Sequence, residues 1–163
     1  MEIYILRHAI AETAKPGDPD ADRALTSDGK KKLREVLRVA RGAGLSPSLI
    51  LTSPYRRAVE TAQLAATQLG YKEEPLTTKA LLPGSGADEI WEEIRVRRDA
   101  HEMLLVGHEP LLGQLAGYLL GTPSMLMDFK KGALIRIDMD QFQGEPRGVL
   151  RWFLTPKLAS RQD

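Results

Sequence analysis

The chain has 163 residues, no cysteine and a formal net charge of +1, and 42% of its residues are hydrophobic. This composition predicts one soluble globular domain with its own core, excludes disulfides and thiolate catalysis, and gives no reason to expect nucleic acid as a partner. Because the sequence has no apolar run of about 18 residues and its amino terminus lacks a leader pattern, we expect a cytoplasmic protein without a membrane partner.

The first predicted element is a buried strand at residues 3–6, which ends in Arg7 and His8. Its β-branched and aromatic residues, without a polar break, are typical of a strand that is buried on both faces. Open α/β sheets bind ligands outside the carboxyl ends of their strands, so the arginine and the imidazole stand where a ligand would bind. Both residue types are also common at strand ends that have no function, and this pair alone leaves the two interpretations open.

A polar loop at residues 12–23 and a helix follow the first strand. The loop contains a run of turn residues, and long ordered loops in compact domains tend to be functional. The helix is predicted to start at Thr26 or Ser27, either of which can cap it, and to end at the glycines Gly42 and Gly44. Its apolar residues follow helical spacing and predict one buried face: Leu33, Val36, Leu37 and Ala40.

Two further buried strands are predicted at residues 49–52 and 103–106, and each is followed by a polar turn that leads into a helix. After the first of them, Ser53 is predicted to cap the helix and Pro54 to occupy its first position. After the second, His108 stands at the strand end and a proline again marks the first helical turn. Three predicted strands therefore end in polar groups.

Two adjacent arginines of the helix after residue 52 differ in their helical phase. Arg56 aligns with Glu60 on the polar face, where the two side chains can form an i,i+4 ion pair. Arg57 lies at the border of the buried stripe. Arg57 is therefore the candidate site residue, and Arg56 is predicted to face solvent.

The last third of the sequence predicts two strands, at residues 133–138 and 149–154, that join the sheet as an antiparallel pair. Together with the alternating strands and helices before them, they predict an α/β fold: a three-layer α/β/α sandwich with a mostly parallel central sheet. We expect a single domain over residues 1–156, a loosely ordered tail over residues 157–163, and a monomer.

Four side chains at strand ends and helix starts are predicted to meet in one cluster, which we call the cage: Arg7, His8, Arg57 and His108. Two guanidinium groups match the oxygens of a tetrahedral dianion such as phosphate, and the amino end of the following helix adds positive potential. A neutral imidazole can act as a nucleophile towards phosphorus. The cage therefore indicates phosphoryl transfer.

The motifs around these residues resemble the histidine phosphatase (phosphoglycerate mutase-like) superfamily. The chain has Arg-His-Ala at 7–9, Leu-Thr-Ser-Asp-Gly at 25–29, Ser-Pro-Tyr-Arg-Arg-Ala-Val-Glu-Thr-Ala at 53–62 and Gly-His at 107–108. The family carries Arg-His-Gly, Leu-Thr-x-x-Gly, Ser-Pro-x-x-Arg-Ala-x-x-Thr-Ala and a late Gly-His, in the same order. The match thus extends over the first two thirds of the chain.

The resemblance implies a role for each residue of the cage. His8 is the implied phosphorylated nucleophile, Arg7 and Arg57 bind the phosphoryl group, and His108 donates a hydrogen bond to it. The family's motif places its arginine directly before the alanine, which selects Arg57, as the helical phase does. Ala9 replaces the family glycine, and its methyl group is tolerable if the backbone φ is negative.

The general acid of many relatives, a glutamate in a Leu-x-Glu segment, has no counterpart here, because residues 79–83 read Lys-Ala-Leu-Leu-Pro. Another branch of the family places its acid directly after the second histidine, where this chain has Glu109. Glu109 is equally well explained as a charge that is stabilised by the dipole at a helix start. Both interpretations stay open.

The small size and the missing acid resemble one subgroup, the short phosphohistidine phosphatases. Imidazole, with a conjugate-acid pKa of about 6.5, departs with little help, whereas an alkoxide needs a proton. The resemblance therefore implies a phosphatase with a phosphohistidine intermediate, without metal or cofactor, that removes phosphate from phosphohistidine on a protein. Arg23 matches an arginine in the subgroup's loop, and it either lines the entrance to the site or is a surface residue.

Other functions explain parts of the same pattern. A small-molecule phosphomonoesterase of the same family is the main alternative, and a non-catalytic phosphate-binding module is a second, although a mere binder need not keep an imidazole in line. A mutase for phosphorylated sugar acids needs specificity residues that this short chain lacks. A zinc hydrolase would use His8 and His108, but two arginines would repel the cation and a third ligand is missing.

Overall fold

A six-stranded sheet forms the centre of the structure, a computed structural model that describes residues 1–161. The strands are β1 (Glu2–Arg7), β2 (Leu49–Thr52), β3 (Leu76–Thr77), β4 (Glu102–Gly107), β5 (Leu134–Asp138) and β6 (Val149–Leu154). Their spatial order is β3-β2-β4-β1-β5-β6. The first four strands run parallel, β5 pairs antiparallel with β1, and β6 pairs antiparallel with β5. The predicted mostly parallel sheet with an antiparallel C-terminal pair is confirmed.

Helices cover both faces of this sheet, so the predicted three-layer α/β/α sandwich is also confirmed. The helices are α1 (Ser27–Gly42), α2 (Arg56–Leu69), α3 (Ala87–Val96), α4 (Leu111–Leu119) and α5 (Pro156–Ala159). Side chains of β1 alternate between two cores: Ile3 and Ile5 pack with α3 and α4, whereas Tyr4 and Leu6 pack with α1, α2 and α5. None of the helices within residues 1–161 is long and apolar enough to cross a membrane.

The start of α1 is tied to the segment that follows His8. Thr26 is the N-cap, and its hydroxyl accepts the Gly29 N–H at 2.9 Å. The Thr26 N–H donates to the Ile10 carbonyl at 2.9 Å, and Gly29 lies so close to the same carbonyl that a Cβ atom there would overlap it. A glycine is therefore required at position 29 by close backbone approach.

The start of α2 differs from the sequence prediction. The helix begins at Arg56, with Tyr55 as its N-cap, so Ser53 and Pro54 lie before it. The Ser53 hydroxyl is instead 2.8 Å from Nε2 of His108, on a neighbouring strand end. The same hydroxyl accepts the N–H of Tyr55 at 3.3 Å, so Ser53 links the turn before α2 to His108.

The C-terminal segment also differs from the prediction of a loosely ordered tail. Thr155 caps the short helix α5, and Ala159 is fully buried in the core that α1 and α2 share. This helix could not be predicted from the sequence because four residues are too few to show a period. Residues 162–163 of the predicted tail lie outside the described residues.

Candidate active site

The carboxyl ends of β1, β2 and β4 lie level with one another and bring the predicted site residues together. Arg7 pairs with Gly107 across β1 and β4, and Thr52 pairs with Val106 across β2 and β4. The next residue of each strand, His8, Ser53 or His108, is therefore delivered to the same edge of the sheet. Arg57 reaches this edge from the first turn of α2, and its side chain is almost completely buried.

The hydrogen bonds of His8 fix which ring nitrogen carries its proton. Nδ1 lies 2.8 Å from the Ala9 carbonyl oxygen, which can only accept, so Nδ1 is the protonated nitrogen. Arg57 Nε, which can only donate, lies 3.3 Å from Nε2. Both partners therefore require the tautomer in which Nε2 has the free electron pair.

Burial keeps both imidazoles of the site neutral at physiological pH. It lowers the pKa of His8 from 6.5 to about 3, assisted by the charges of His108, Arg57 and Arg7 against the opposing Ala9 hydrogen bond. It also lowers the pKa of His108 to about 4, with the charge of Arg57 acting in the same direction. The Nε2 electron pair of His8 is therefore available near neutral pH.

His108 is held by two residues that the sequence analysis did not assign to the site. Its Nε2 lies 2.8 Å from the Ser53 hydroxyl. The Tyr55 ring meets the His108 ring edge-on, with 5.3 Å between centroids, and the Arg57 guanidinium lies 5.0 Å from the centre of the same Tyr55 ring. Tyr55 therefore packs against both a histidine and an arginine of the site.

Arg7 is anchored to the segment before β5. Its Nη1 donates to the Phe129 carbonyl at 2.8 Å, and Phe129 is itself buried against Phe153, with 5.4 Å between the ring centroids. Because this bond uses only Nη1, the other N–H groups of the Arg7 guanidinium can donate to another acceptor.

Two buried nitrogens of the site have no hydrogen-bond partner within residues 1–161. They are Nε of Arg7 and Nδ1 of His108. When Ser53 donates its hydroxyl proton to Nε2 of His108, Nδ1 carries the ring proton and becomes a donor. A buried donor without a partner costs free energy, which an anionic oxygen would relieve at both nitrogens.

Asp20, on a 3₁₀ turn at Asp20–Asp22 in the loop after β1, occupies the outer side of Arg57. Arg57 Nη2 donates to the Asp20 carboxylate at 3.0 Å, and Nη1 donates to the Asp20 carbonyl at 2.8 Å. Nε of Arg23 forms an ion pair with the same carboxylate at 2.9 Å. Slight burial opposes ionisation of Asp20, but Arg57 and Arg23 outweigh it and hold its pKa below the usual value. The sequence leaves Arg23 as either an entrance residue or a surface residue; in the structure it pairs with Asp20, which in turn contacts Arg57.

We expect an Asp20→Ala variant to bind inorganic phosphate about two- to tenfold more tightly than the unaltered chain, because its carboxylate competes with the anion for Arg57. The measurement is the inhibition constant of phosphate. Asp22→Ala is the matched control, since Asp22 is an exposed carboxylate of the same turn. Weaker phosphate binding by the Asp20 variant would show instead that Asp20 holds Arg57 in place for the anion.

Thr61 connects the backbone after β1 to α2. Its hydroxyl accepts the Ala9 N–H at 3.1 Å and donates to the Arg57 carbonyl at 2.6 Å, and the residue is fully buried. No residue other than glycine in the described part of the chain has a positive φ, so Ala9 meets the condition under which its methyl group is tolerated.

Glu109 is half-buried beside Arg7 at the start of α4, where its carboxylate accepts the Gly113 N–H at 2.6 Å. Burial raises the pKa of Glu109 above its usual value, although the Gly113 hydrogen bond and the charge of Arg7 act against the shift. The hydrogen bond suits a residue that stabilises the helix start. The raised pKa suits a proton donor. The structure therefore carries an observation for each of the two interpretations.

If Glu109 is the proton donor, Glu109→Gln will slow the hydrolysis of alkyl phosphates by about 10²-fold and leave phosphohistidine hydrolysis within about twofold of the unaltered rate. Glutamine keeps the acceptor for Gly113 but cannot supply the proton that a departing alkoxide needs. Steady-state rates on the two substrates check this. An equal loss on both would mean that Glu109 organises α4 or orients His108, and no loss on either would make it a helix-start charge alone.

Comparison with known proteins gives matches over most of the chain. The family model described as Histidine phosphatase superfamily (branch 1) matches residues 3–82. An uncharacterized protein of Picosynechococcus sp. is 37% identical over 139 residues, which are 83% of this chain and 83% of that protein. Phosphohistidine phosphatase SixA of Escherichia coli is 24% identical over 160 residues, which are 96% of this chain and 94% of SixA.

Solved structures share the fold. The structure of the protein histidine phosphatase SixA complexed with tungstate has a TM-score of 0.85 at 24% identity, and the match covers 96% of this chain and 98% of that one. The alpha-ribazole phosphatase from Shigella flexneri has a TM-score of 0.71 at 16% identity and covers 96% of this chain and 97% of its own.

Proposed function

Because the chain belongs to the histidine phosphatase superfamily and is a phosphatase, we propose that it removes the phosphoryl group from phosphohistidine on a protein. One observation carries the proposal: Nε2 of His8 has a free electron pair 3.3 Å from Arg57 Nε, the His108 ring lies 5.1 Å away between centroids, and the charge of Arg7 acts on the same imidazole. The relative named phosphohistidine phosphatase, at 24% identity, supports the same substrate class.

The proposed reaction has two displacements at phosphorus. His8 Nε2 attacks, a new N–P bond forms, and the N–P bond to the substrate imidazole breaks with its electron pair on the leaving nitrogen. Water then attacks the phosphorylated His8, the enzyme N–P bond breaks, and inorganic phosphate leaves while Nε2 regains its electron pair. In both steps Arg7, Arg57 and His108 would bind the equatorial oxygens, where charge accumulates.

The lack of a carboxylate in the turn after β3 supports phosphohistidine over an alkyl ester. That turn, Lys79–Leu81, holds no acid, and Lys79 is its only ionisable side chain. A substrate imidazole that is protonated on its other nitrogen leaves as a neutral molecule and needs no proton from the enzyme. A site of this composition therefore suits the leaving group that demands least assistance.

A substrate panel tests this proposal. We would compare kcat/KM for a phosphohistidine peptide, an aryl phosphate, a sugar phosphate and a nucleoside monophosphate at one pH and ionic strength. We expect the phosphohistidine peptide to have the highest value by at least about tenfold. A higher value for one of the alkyl monoesters would favour the small-molecule phosphomonoesterase, for which the raised pKa of Glu109 is the supporting observation.

We further expect phosphatase activity to persist in the presence of a chelator and to gain nothing from added Mg²⁺ or Zn²⁺. The positive charge that stabilises the transferring phosphoryl group is already supplied by Arg7 and Arg57, and these charges would repel a divalent cation. Activity is measured after dialysis against EDTA and again after each metal is restored. Loss in EDTA with recovery on metal addition would contradict the expectation.

A further inference from the structure

A basic groove runs from Arg7 across the surface that α1, α5 and the turn before β5 share. Its volume is about 740 Å³, which is far more than one phosphoryl group needs. Arg7 is one of its lining residues, so a molecule in this groove would lie next to a phosphoryl group that Arg7 binds beside His8. Ile10 and Pro156 contribute apolar lining.

The lining of the groove has a higher net positive charge than the chain as a whole. Besides Arg7, its lining includes four lysines, Lys32, Lys130, Lys131 and Lys157, and two acidic residues. The groove thus carries a net charge of about +3 by formal side-chain count, whereas the whole chain carries +1. Such a local excess attracts a partner of opposite charge and accelerates its association.

Two of these lysines have their charge uncompensated. Lys130 pairs with Asp128 and Lys32 with Asp28, both as exposed ion pairs of the kind that contribute little. Lys131 and Lys157 are exposed and have no ion pair within the described residues. Their charges are therefore available to a partner.

The turn that carries Lys130 and Lys131 is fixed to the site. The Gly132 N–H lies 3.1 Å from the carbonyl oxygens of both Arg7 and His8, and the Ala133 N–H donates to the Lys130 carbonyl at 2.9 Å. Arg7 in turn holds the Phe129 carbonyl. These bonds hold the backbone from which Lys130 and Lys131 extend close to the site.

We propose that this basic groove binds acidic side chains that flank the phosphohistidine of the protein substrate. The inference rests on the proposed function and adds the specificity that the small phosphoryl cage alone cannot provide. Carboxylates near the phosphohistidine would meet Lys131 and Lys157, while apolar atoms of the same segment would pack on the lining that Ile10 and Pro156 supply. The groove would thus select among phosphohistidine proteins without taking part in the chemistry.

The test changes the charge of the peptide substrate and, separately, the charge of the groove. Two phosphohistidine peptides of the same length are compared, one with Glu and Asp around the phosphohistidine and one with Gln and Asn at those positions. They are hydrolysed by the unaltered chain, by a Lys131→Glu/Lys157→Glu variant and by a Lys72→Glu control. Lys72 is exposed beyond the end of α2, at the edge of the sheet away from the site. Free phosphohistidine, which has no flanking residues, reports on the chemistry alone.

We expect the double variant to lose about ten- to a hundredfold in kcat/KM on the acidic peptide, and less than about twofold on the neutral peptide and on free phosphohistidine. The preference of the unaltered chain for the acidic peptide should fall as salt is raised. Equal losses on both peptides, or none on either, would overturn the groove inference. Hydrolysis of the phosphohistidine peptides by the unaltered chain would still uphold the proposed function. Failure of the unaltered chain to hydrolyse any phosphohistidine substrate would refute the function and the inference with it.

Discussion

A His8→Ala variant is expected to lose phosphatase activity by at least about 10³-fold. His8 presents the electron pair of Nε2 within the cage, because Nδ1 is committed to the Ala9 carbonyl and Nε2 faces Arg57. Alanine removes the atom to which the phosphoryl group would be transferred. Binding of phosphate by the remaining arginines and His108 cannot replace a covalent step.

The loss must be separated from unfolding. His8 is buried, and its removal breaks two hydrogen bonds, which we expect to cost about 1–3 kcal/mol of the free energy of unfolding. The thermal unfolding of each variant is therefore measured together with its rate of hydrolysis. His101→Ala is the matched control, since His101 is the exposed histidine of the chain and lies in the turn before β4. Turnover above about one per cent in the His8 variant would contradict its role as nucleophile.

Arg57→Ala should reduce kcat/KM by about 10²–10⁴-fold, whereas Arg56→Ala should stay within about twofold of the unaltered chain. The adjacent side chains have different surroundings. Arg57 is buried and reaches His8, while Arg56 is exposed and forms an ion pair with Glu60 at 2.7 Å. The exposed ion pair between Arg56 and Glu60 is of the kind that contributes little to stability.

An Arg57→Lys variant sharpens this comparison. Lysine keeps the charge but loses the planar fork that can contact two phosphoryl oxygens at once. We therefore expect a loss between those of the alanine variant and the unaltered chain, mainly in kcat. If Arg56→Ala proved to be the more damaging change, the assignment of the two side chains to the site and to solvent would be wrong.

Periodicity predicted the fold well where an element buries one regular face. The buried positions of α1 follow the predicted stripe, and the separate phases of Arg56 and Arg57 agree with their observed burial. The predicted start of α2 was wrong. Local preference favours Ser53 as a cap, whereas the Ser53 hydroxyl contacts His108, which is distant in the sequence. A tertiary contact of this kind leaves no local signal.

The clustering of Arg7, His8, Arg57 and His108 could be predicted because parallel strand ends converge at one edge of the sheet. Asp20 and Tyr55 were missed for physical reasons. In a loop rich in turn-forming residues, an aspartate such as Asp20 is most simply explained as a residue that stabilises a turn. Its contact with Arg57 depends on how the loop folds back over α2. Tyr55 lies in the matched motif at a variable position, so only its ring contacts with His108 and Arg57 reveal it.

The most direct test of the account is to trap the phosphorylated protein and locate the phosphoryl group. The unaltered chain is mixed with excess acetyl phosphate or phosphohistidine peptide, quenched in base within one turnover, digested, and analysed by mass spectrometry. We predict one phosphoryl group on His8, stable in base and lost in acid, and none in the His8→Ala variant. A phosphoryl group on His108 or on a hydroxyl such as Ser53, with none on His8, would contradict it.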